Sequence, residues 1–372
     1  MKTLVVGGTG LLGGHAALYL KGQGFDVTIA SRTAPKAPLL AALPFVSIDY
    51  TQAIDPSVLK GFDALLFCAG QDIRHVDLGQ SLDEQWHTRN TLAIPRFFAA
   101  ARDAGMRRAV LLGSFYPQMA PELIETVPYV RSRHLSDVGV RALNSATFEV
   151  VSVNAPFMVG HVPGLPNPMF DAYVAYAKGQ MPDLPVFGPK GGTNFMSVRS
   201  LSEALHQALV KGTPGKAYLV GDENLSFARY FSLFFEAVGN PQPVPELDQE
   251  HPLLPDVAIY TGRGNYARYE PDISLAYRRN DVEAAVRALV GQDRYVPGSG
   301  IRGALRERRG CPSGFSGARP SARRHGTVKR STRLRIRLRD ASPAALPPRR
   351  ARSVSGRPRR QSAAHTPRAW PG

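Results

Sequence analysis

The most constraining feature of the sequence is a glycine-rich turn that follows its first apolar segment. Residues 3–6 are apolar and partly β-branched, and Gly7-Gly8-Thr9-Gly10-Leu11-Leu12-Gly13 leads from them into a helical pattern. Gly7 permits a tight turn, Gly10 lets the backbone approach a pyrophosphate, and Gly13 allows the helix to pack closely on the strand. The helix start presents free N–H groups to phosphates. A turn without a ligand is the alternative, but the flanking strand and helix favour dinucleotide binding by Gly7, Thr9, Gly10, Leu11, Leu12 and Gly13.

Further apolar segments alternate with helical patterns after this turn. Strands are predicted at residues 25–30, 44–49, 63–70 and 108–114, with a helix at 82–104 and another from Pro128. Continuously apolar strands are typical of a sheet that is buried on both faces. The sequence therefore predicts an α/β fold, a doubly wound parallel sheet of the Rossmann type. Ligands bind at the carboxyl ends of such strands, where Asp49 is a candidate for an adenine contact.

The end of the second predicted strand bears on the choice of cofactor. An acidic residue there holds the ribose hydroxyls of NAD and repels a 2′-phosphate. Ser31 and Arg32 occupy this place instead, and Lys36 is nearby. A hydroxyl and two cations suit a phosphate, so NADP(H) is expected in preference to NAD(H). The alternative is that Arg32 is a solvated loop cation.

Short motifs then follow one another in an order that is typical of one enzyme family. They are GGTGLLGGH at the first turn, CAG (Cys68, Ala69, Gly70) after the fourth strand, Asn90 in the next helix, GS at the end of the fifth strand, Tyr129-Val-Arg-Ser-Arg133, and residues 154–164 and 194–209. Over residues 1–290 the sequence resembles the extended short-chain dehydrogenases/reductases, the NAD(P)-dependent epimerase/dehydratase family. The resemblance implies cofactor contacts at Cys68, Ala69 and Gly70, and hydride transfer with Tyr129 as the acid/base. It also implies that Asn90 helps to shape the site, the alternative being a local helix hydrogen bond.

The expected active site departs from that family in two places. The family has a lysine four residues after the tyrosine, where this chain has Arg133. Tyr129 and Arg133 share a helix face, and Arg133 can supply charge, but it does not exchange protons as lysine does. The catalytic hydroxyl of the family lies near the end of the fifth strand, where Ser114 stands, unless Tyr116 takes the role. The connection from Ser114 to Tyr129 is shorter than usual, so Ser114 is either the substrate-positioning hydroxyl or only the end of a strand.

The order of the motifs also predicts the domains. Residues 1–155 are the expected Rossmann domain, completed by about residues 190–222. Residues 156–189 and 223–292 are the expected smaller α/β lobe that binds substrate. Its Met and aromatic residues indicate an apolar pocket, with core packing as the alternative.

Charge separates the end of the chain from the rest. Residues 1–300 contain 26 Lys and Arg against 28 Asp and Glu, whereas residues 301–372 contain 20 against 2, and 19 of those 20 are Arg. Large apolar residues are sparse in residues 293–372, so a disordered Arg/Pro-rich tail is predicted. Three interpretations stay open. The tail is an arm that binds nucleic acid, an inert solvated segment, or the product of out-of-frame translation, which the bias toward Arg, Pro, Ala, Gly and Ser favours.

Composition excludes several other classes of protein. Two cysteines cannot form the disulfide framework of a small secreted protein, so a cytoplasmic location is expected. No run of about 18 apolar residues occurs, so no membrane association is expected. Histidines and cysteines lack metal-ligand spacing, so no metal is expected. The expected function is that of an NAD(P)-dependent oxidoreductase or epimerase/dehydratase acting on a small carbonyl or hydroxyl compound, with a homodimer left open. A non-catalytic protein that senses NADP(H) is the alternative.

Overall fold

The computed structural model describes residues 1–72 and 81–291 of the chain. The tail predicted for residues 293–372 lies outside the described residues. The strands are β1 (Lys2–Val6), β2 (Asp26–Ser31), β3 (Phe45–Ser47), β4 (Ala64–Phe67), β5 (Arg108–Ser114), β6 (Glu149–Ala155), β7 (Phe157–Val159), β8 (Gly188–Pro189), β9 (Gly192–Ser197), β10 (Ala217–Leu219), β11 (Glu223–Ser226), β12 (Glu246–Leu247) and β13 (Tyr266–Ala267).

The helices are α1 (Leu11–Gly22), α2 (Pro38–Ala41), α3 (Leu82–Trp86), α4 (Ala93–Asp103), α5 (Tyr116–Met119), α6 (Leu123–Thr126), α7 (Pro128–Arg141), α8 (Pro168–Ala177), α9 (Val198–Lys211), α10 (Phe227–Ala237) and α11 (Val282–Gly291). Short 3₁₀ turns occur at Pro56–Leu59 and Asp256–Ala258. None of the helices in the described ranges is long and apolar enough to cross a membrane.

Seven strands form one parallel sheet in the order β10-β6-β5-β4-β1-β2-β3. All residues of β4 and β5 are buried, as expected for strands covered on both faces. One apolar core lies between the sheet and the helices α1 and α9, and a second lies on the α4 side. The predicted doubly wound Rossmann sheet is confirmed.

The helix predicted for residues 82–104 is broken in the structure. It consists of α3, a π-helical turn at His87–Leu92, and α4. Pro95 lacks the N–H that would bond the carbonyl of Thr91, so the regular i→i−4 hydrogen bonding is interrupted between the π turn and α4. The π turn presents Asn90 to the interior, where it is fully buried.

A smaller lobe is built around β9. This strand pairs with β7 and β13 in parallel and with β11 antiparallel, while β8 pairs with β12. Helices α8, α10 and α11 enclose an aromatic-rich core beside it. The expected return of the chain to the main sheet after residue 190 is made by α9, which packs on α1, and by β10. Strand β9 itself pairs with strands of the lobe.

Candidate functional site

The glycine-rich turn folds back tightly on the ends of β1, β2 and β4. Gly7 has a φ of +82°, which favours glycine, and its N–H donates to the carbonyl oxygen of Ala30 at 2.8 Å. A Cβ on Gly13 would lie 2.8 Å from the carbonyl carbon of Gly7, so helix and turn touch directly. A Cβ on Gly10 would meet only the carbonyl oxygen of Gly7, at 3.5 Å, in the described part of the chain. Packing therefore requires Gly7 and Gly13, whereas Gly10 faces open space.

Helix α1 begins beside this open side of the turn. Gly10 is its N-cap, and among the described residues no side chain caps it and no acidic residue occupies its first turn. The side chains of Leu11 and Leu12 pack into the hydrophobic cores. The first N–H groups of a helix lack intrahelical partners, so this helix start suits a phosphate.

Two hydroxyls meet at the carboxyl end of β2. Thr9 Oγ1 donates to Ser31 Oγ at 2.9 Å, which ties the turn to the strand. Arg32 follows as an exposed side chain. Asp49 Oδ1 accepts hydrogen bonds from the backbone N–H and the hydroxyl of Thr51, at 3.0 and 2.7 Å. Asp49 was the candidate for an adenine contact, and this oxygen is engaged within its own loop.

Cys68 and Ala69 lie under the turn. β4 ends at Phe67, and the N–H of Cys68 donates to the carbonyl oxygen of Val6 at 2.8 Å. A Cβ on Gly7 would lie 2.9 Å from the nitrogen of Ala69. Burial raises the pKa of the Cys68 thiol to about 12, so the thiol stays protonated at neutral pH and behaves as a small apolar side chain.

Arg133 is buried and reaches from α7 to the sheet. Its Nη2 donates to the carbonyl oxygen of Leu112 in β5 at 2.8 Å. A Cβ on Gly70 would lie 2.5 Å from Nη1, so Gly70 leaves the space that the guanidinium fills. The Nε–H is buried and has no hydrogen-bond partner within the described ranges. Arg133 therefore places a positive charge at the carboxyl ends of β4 and β5.

Asn90 fastens the loop after β4 to the helices. Its Oδ1 accepts from the N–H of Gln71 at 2.9 Å, and its Nδ2 donates to the carbonyl oxygen of Gln71 at 3.0 Å and to Ser132 Oγ at 3.2 Å. The amide is thus engaged with the protein, and no local helix hydrogen bond is needed to explain it. Asn90 positions residues 70–72 next to α7.

Tyr129 lies one helical turn before Arg133, in an aromatic cluster. Its ring stacks on Tyr260, with 4.6 Å between ring centroids and 12° between the planes, and meets Trp86 edge-to-face at 5.5 Å. Trp86 is 5% exposed, and its Nε1–H has no hydrogen-bond partner among the residues described. A buried donor of this kind beside a half-buried phenol suits an oxygen atom of a ligand.

The two hydroxyls considered at the end of β5 are placed differently. Ser114 is the last residue of β5, is 8% exposed, and pairs with Ala155 of β6. Tyr116 begins α5, is 5% exposed, and meets the ring of Tyr260 edge-to-face at 5.2 Å. Tyr116 and Tyr129 therefore both contact the ring of Tyr260.

Sequence reasoning missed three residues of this site, namely Gln71, Trp86 and Tyr260. Tyr260 is more than 130 positions from Tyr129 along the chain. Its segment has neither a helical nor a strand period, so no local pattern indicates its stacking partner. Two signals could have indicated the others. Trp86 lies in the predicted helix 82–104, and Gln71 directly follows the CAG motif.

Several features of the described residues fit a dinucleotide cofactor. The side of Gly10 is open, the start of α1 is uncapped, and Thr9 and Ser31 place hydroxyls beside it. Arg133 Nε and Trp86 Nε1 are buried donors without partners among the described residues, and Arg133 reaches β5 and the loop after β4. This is the end at which parallel α/β sheets bind ligands.

Comparison with known proteins agrees with this geometry. The model of the NAD dependent epimerase/dehydratase family matches residues 3–221, more than half of the chain. No curated protein sequence matches significantly. UDP-glucose-4-epimerase from Stenotrophomonas maltophila, solved with NAD and formylated UDP-arabinopyranose, is 20% identical with a TM-score of 0.58, and the match covers 79% of this chain and 98% of that one.

Two further solved structures are similar. UDP-N-acetylglucosamine 4-epimerase from Bacillus cereus has a TM-score of 0.60 at 14% identity, with 78% of this chain and 95% of that one covered. The enzyme WbmF from Bordetella bronchiseptica, solved with NAD⁺, has a TM-score of 0.59 at 18% identity, with 78% and 91% covered. At these identities the likeness shows the fold. The match to the family model goes further, and the chain belongs to the NAD dependent epimerase/dehydratase family.

Proposed function

We propose that this protein is an oxidoreductase or epimerase/dehydratase that uses NADP(H) and acts on a small carbonyl or hydroxyl compound, with Tyr129 as its acid/base. The observation that carries the proposal is the position of Tyr129 and Arg133 on one face of α7. Arg133 bonds the carbonyl oxygen of Leu112 near the end of β5, and the phenol one turn away lies beside the end of the sheet that also holds the glycine-rich turn.

The residues that would hold the cofactor are the turn from Gly7 to Gly13, the start of α1, and the hydroxyls of Thr9 and Ser31. When bound, a nicotinamide coenzyme supplies or accepts a hydride at a substrate carbon. The protein has to orient the substrate, exclude water from the aromatic cluster around Tyr129, and move one proton at the substrate oxygen. Tyr129 gives that proton in reduction and takes it in oxidation.

Arg133 is proposed to make Tyr129 a usable acid/base near neutral pH. A phenol with a pKa near 10 must be stabilised as phenolate by about 3 units, or about 4 kcal/mol, to act there. A cation on the next turn of the same helix contributes to this stabilisation. Because the guanidinium does not release its proton, Arg133 acts through its charge and its position.

Preference for NADP(H) is proposed from the end of β2. The Thr9–Ser31 hydrogen bond places two hydroxyls there, Arg32 is exposed immediately beside them, and Lys36 is exposed nearby. These groups can bond a 2′-phosphate.

The substrate is proposed to be less charged than the UDP-sugars of the similar structures. Trp86 and Tyr260 contact the ring of Tyr129, and Tyr116 contacts Tyr260, so the aromatic surroundings favour flat or apolar groups. A single-turnover measurement tests the proposal. NADPH oxidation is followed with a panel of ketones, aldehydes and UDP-sugars in the wild type and in Tyr129→Phe. We expect oxidation with an uncharged carbonyl compound, lost in the variant.

A second function is favoured by one observation. The guanidinium of Arg133 is bonded to backbone and buried against Gly70. It can therefore hold the fold of the pocket without taking part in turnover. A regulatory protein that binds NADP(H) without oxidising it would show saturable NADPH binding, no turnover with any carbonyl compound, and no effect of Tyr129→Phe.

A further inference from the structure

A second phenol lies in the proposed proton-transfer site. Tyr116 is at the first position of α5, two residues after the end of β5, and is 5% exposed. Its ring packs on Phe115 with 4.1 Å between the centroids and meets Tyr260 edge-to-face at 5.2 Å. These contacts fix the ring, so its hydroxyl has a defined place.

Tyr260 connects this phenol to Tyr129. Its ring stacks on the ring of Tyr129 with 4.6 Å between the centroids, and the ring of Tyr116 meets it edge-to-face at 5.2 Å. One residue of the segment after the Asp256–Ala258 turn therefore contacts both phenols.

The protonation state of Tyr116 is also fixed. Burial chiefly raises the pKa of Tyr116, the N–H of Tyr260 opposes this rise, and the charge of an ionised Tyr129 adds to it. The two phenols belong to one aromatic cluster, in which each contacts the ring of Tyr260. Among the described residues, Tyr260 and Tyr269 are the other titratable side chains of this cluster, and Arg133 lies one turn along α7. Because burial raises its pKa, Tyr116 keeps its proton near neutral pH and can act as a donor there.

We infer that Tyr116 is the fixed hydrogen-bond donor of the proton-transfer site, bonding the oxygen atoms between which Tyr129 moves its proton. The inference rests on the proposed role of Tyr129. It gives to Tyr116 the place that the sequence left open between Ser114 and Tyr116. Ser114 lies within the paired end of β5, opposite Ala155, whereas Tyr116 shares an aromatic cluster with Tyr129.

In reduction, the O–H bond of Tyr129 and the C=O π bond of the substrate break. An O–H bond forms on the substrate oxygen, and Tyr129 is left as a phenolate. The bound coenzyme would supply the hydride that bonds to the substrate carbon. Tyr116 keeps its own proton throughout. Its hydrogen bond strengthens as negative charge develops on the substrate oxygen or on the Tyr129 phenolate, and donors placed in this way stabilise transition states.

The first test needs neither coenzyme nor substrate. The full chain is labelled with tyrosine carrying ¹³C at Cζ, and the resonance of Tyr129 is assigned by its loss in Tyr129→Phe. We expect the ionisation midpoint of Tyr129 to rise by about one unit or more in Tyr116→Phe, because a hydrogen bond to a charged oxygen is lost. Tyr173→Phe is the matched control. It also removes a buried phenolic hydroxyl, which bonds the Leu253 carbonyl oxygen in the lobe, and it should leave the midpoint unchanged.

The second test uses turnover. In Tyr116→Phe we expect kcat/KM to fall about 10²- to 10³-fold, the effect of removing one such donor, with NADPH affinity unchanged. An unchanged Tyr129 midpoint would overturn the inference. Full activity in Tyr116→Phe, together with a fall of kcat/KM of about 10²- to 10³-fold in Ser114→Ala, would also overturn it. If Tyr116→Phe does not fold, 3-fluorotyrosine at position 116 keeps the hydroxyl and is a stronger donor. It should lower the Tyr129 midpoint, and no shift would overturn the inference. Failure of the wild type to bind NADPH would contradict the proposed function but would leave the midpoint test intact.

Discussion

Gly10 and Gly13 differ in what surrounds them, and this difference predicts opposite effects of the same substitution. In Gly13→Ala, the new Cβ would lie 2.8 Å from the carbonyl carbon of Gly7 and 3.1 Å from Cys68 Cβ. The obstacle is backbone, which cannot rotate away as a side chain can. Overpacking of this kind costs about 1–3 kcal/mol, so the urea midpoint should fall clearly.

In Gly10→Ala, the new Cβ would meet only one described atom within 4 Å, at 3.5 Å, and the backbone angles of φ −91° and ψ 178° suit alanine. The fold should therefore keep its stability within about 0.5 kcal/mol, typical of a substitution that disturbs no contact. The methyl group would stand where we propose the pyrophosphate to lie, so NADPH affinity should fall at least 10-fold. Gly22→Ala is the control, since its Cβ would have no described atom within 4 Å. It should lower neither the stability of the fold nor the affinity for NADPH.

Urea denaturation and a fluorescence titration with NADPH measure the two quantities on the same preparations. The reasoning is refuted if Gly10→Ala binds NADPH as well as the wild type does, or if Gly13→Ala is as stable as Gly22→Ala.

Three further predictions concern other parts of the molecule. Arg32→Ala should narrow the preference for NADPH over NADH by about 10-fold or more, since a charge-assisted bond is lost, and equal affinities in the wild type would contradict the proposed phosphate site. Asn90→Ala leaves the N–H and carbonyl of Gln71 without their partner and should lower the free energy of unfolding, measured in urea, by about 2 kcal/mol or more. An unchanged free energy of unfolding would show that these hydrogen bonds do not stabilise the fold. Burial lowers the pKa of His251 to about 4, so this residue takes up its proton on unfolding, and stability should fall as pH drops from about 6.5 to 4, by about 1.4 kcal/mol per unit. His251→Gln should reduce the slope of stability against pH in that range, and an identical slope would show that His251 titrates normally.

The sequence predicts the main sheet well because its signals are local. A turn of Gly7, Gly10 and Gly13 between an apolar strand and a helix is recognisable without any distant contact, and so is the apolar run from Ala109 to Leu112 in β5. The break at His87–Leu92 was not predicted, although Pro95 stands in the middle of the predicted helix 82–104. The interior position of Asn90 depends on its hydrogen bonds to Gln71, 19 residues earlier in the chain, which no helical pattern indicates.

The candidate site was predictable only as residue types. The spacing of Tyr129 and Arg133 places them on one helix face, which the structure agrees with. The guanidinium of Arg133 bonds Leu112 and fills the space left by Gly70. These contacts depend on how α7 packs against the sheet, which the sequence does not indicate. Likewise, the stacking of Tyr260 on Tyr129 joins segments that only the folded chain brings together.

The most direct measurement of the central proposal uses Trp86, which lies 5.5 Å from the ring of Tyr129. The chain has two tryptophans, and Trp370 lies outside the described residues, so Trp370→Phe leaves Trp86 as the reporter. The reduced nicotinamide of NADPH, bound beside Tyr129, absorbs where tryptophan emits. The account predicts that NADPH quenches Trp86 emission to saturation, with matching sensitised emission from the coenzyme. Emission that stays constant across the titration would contradict it.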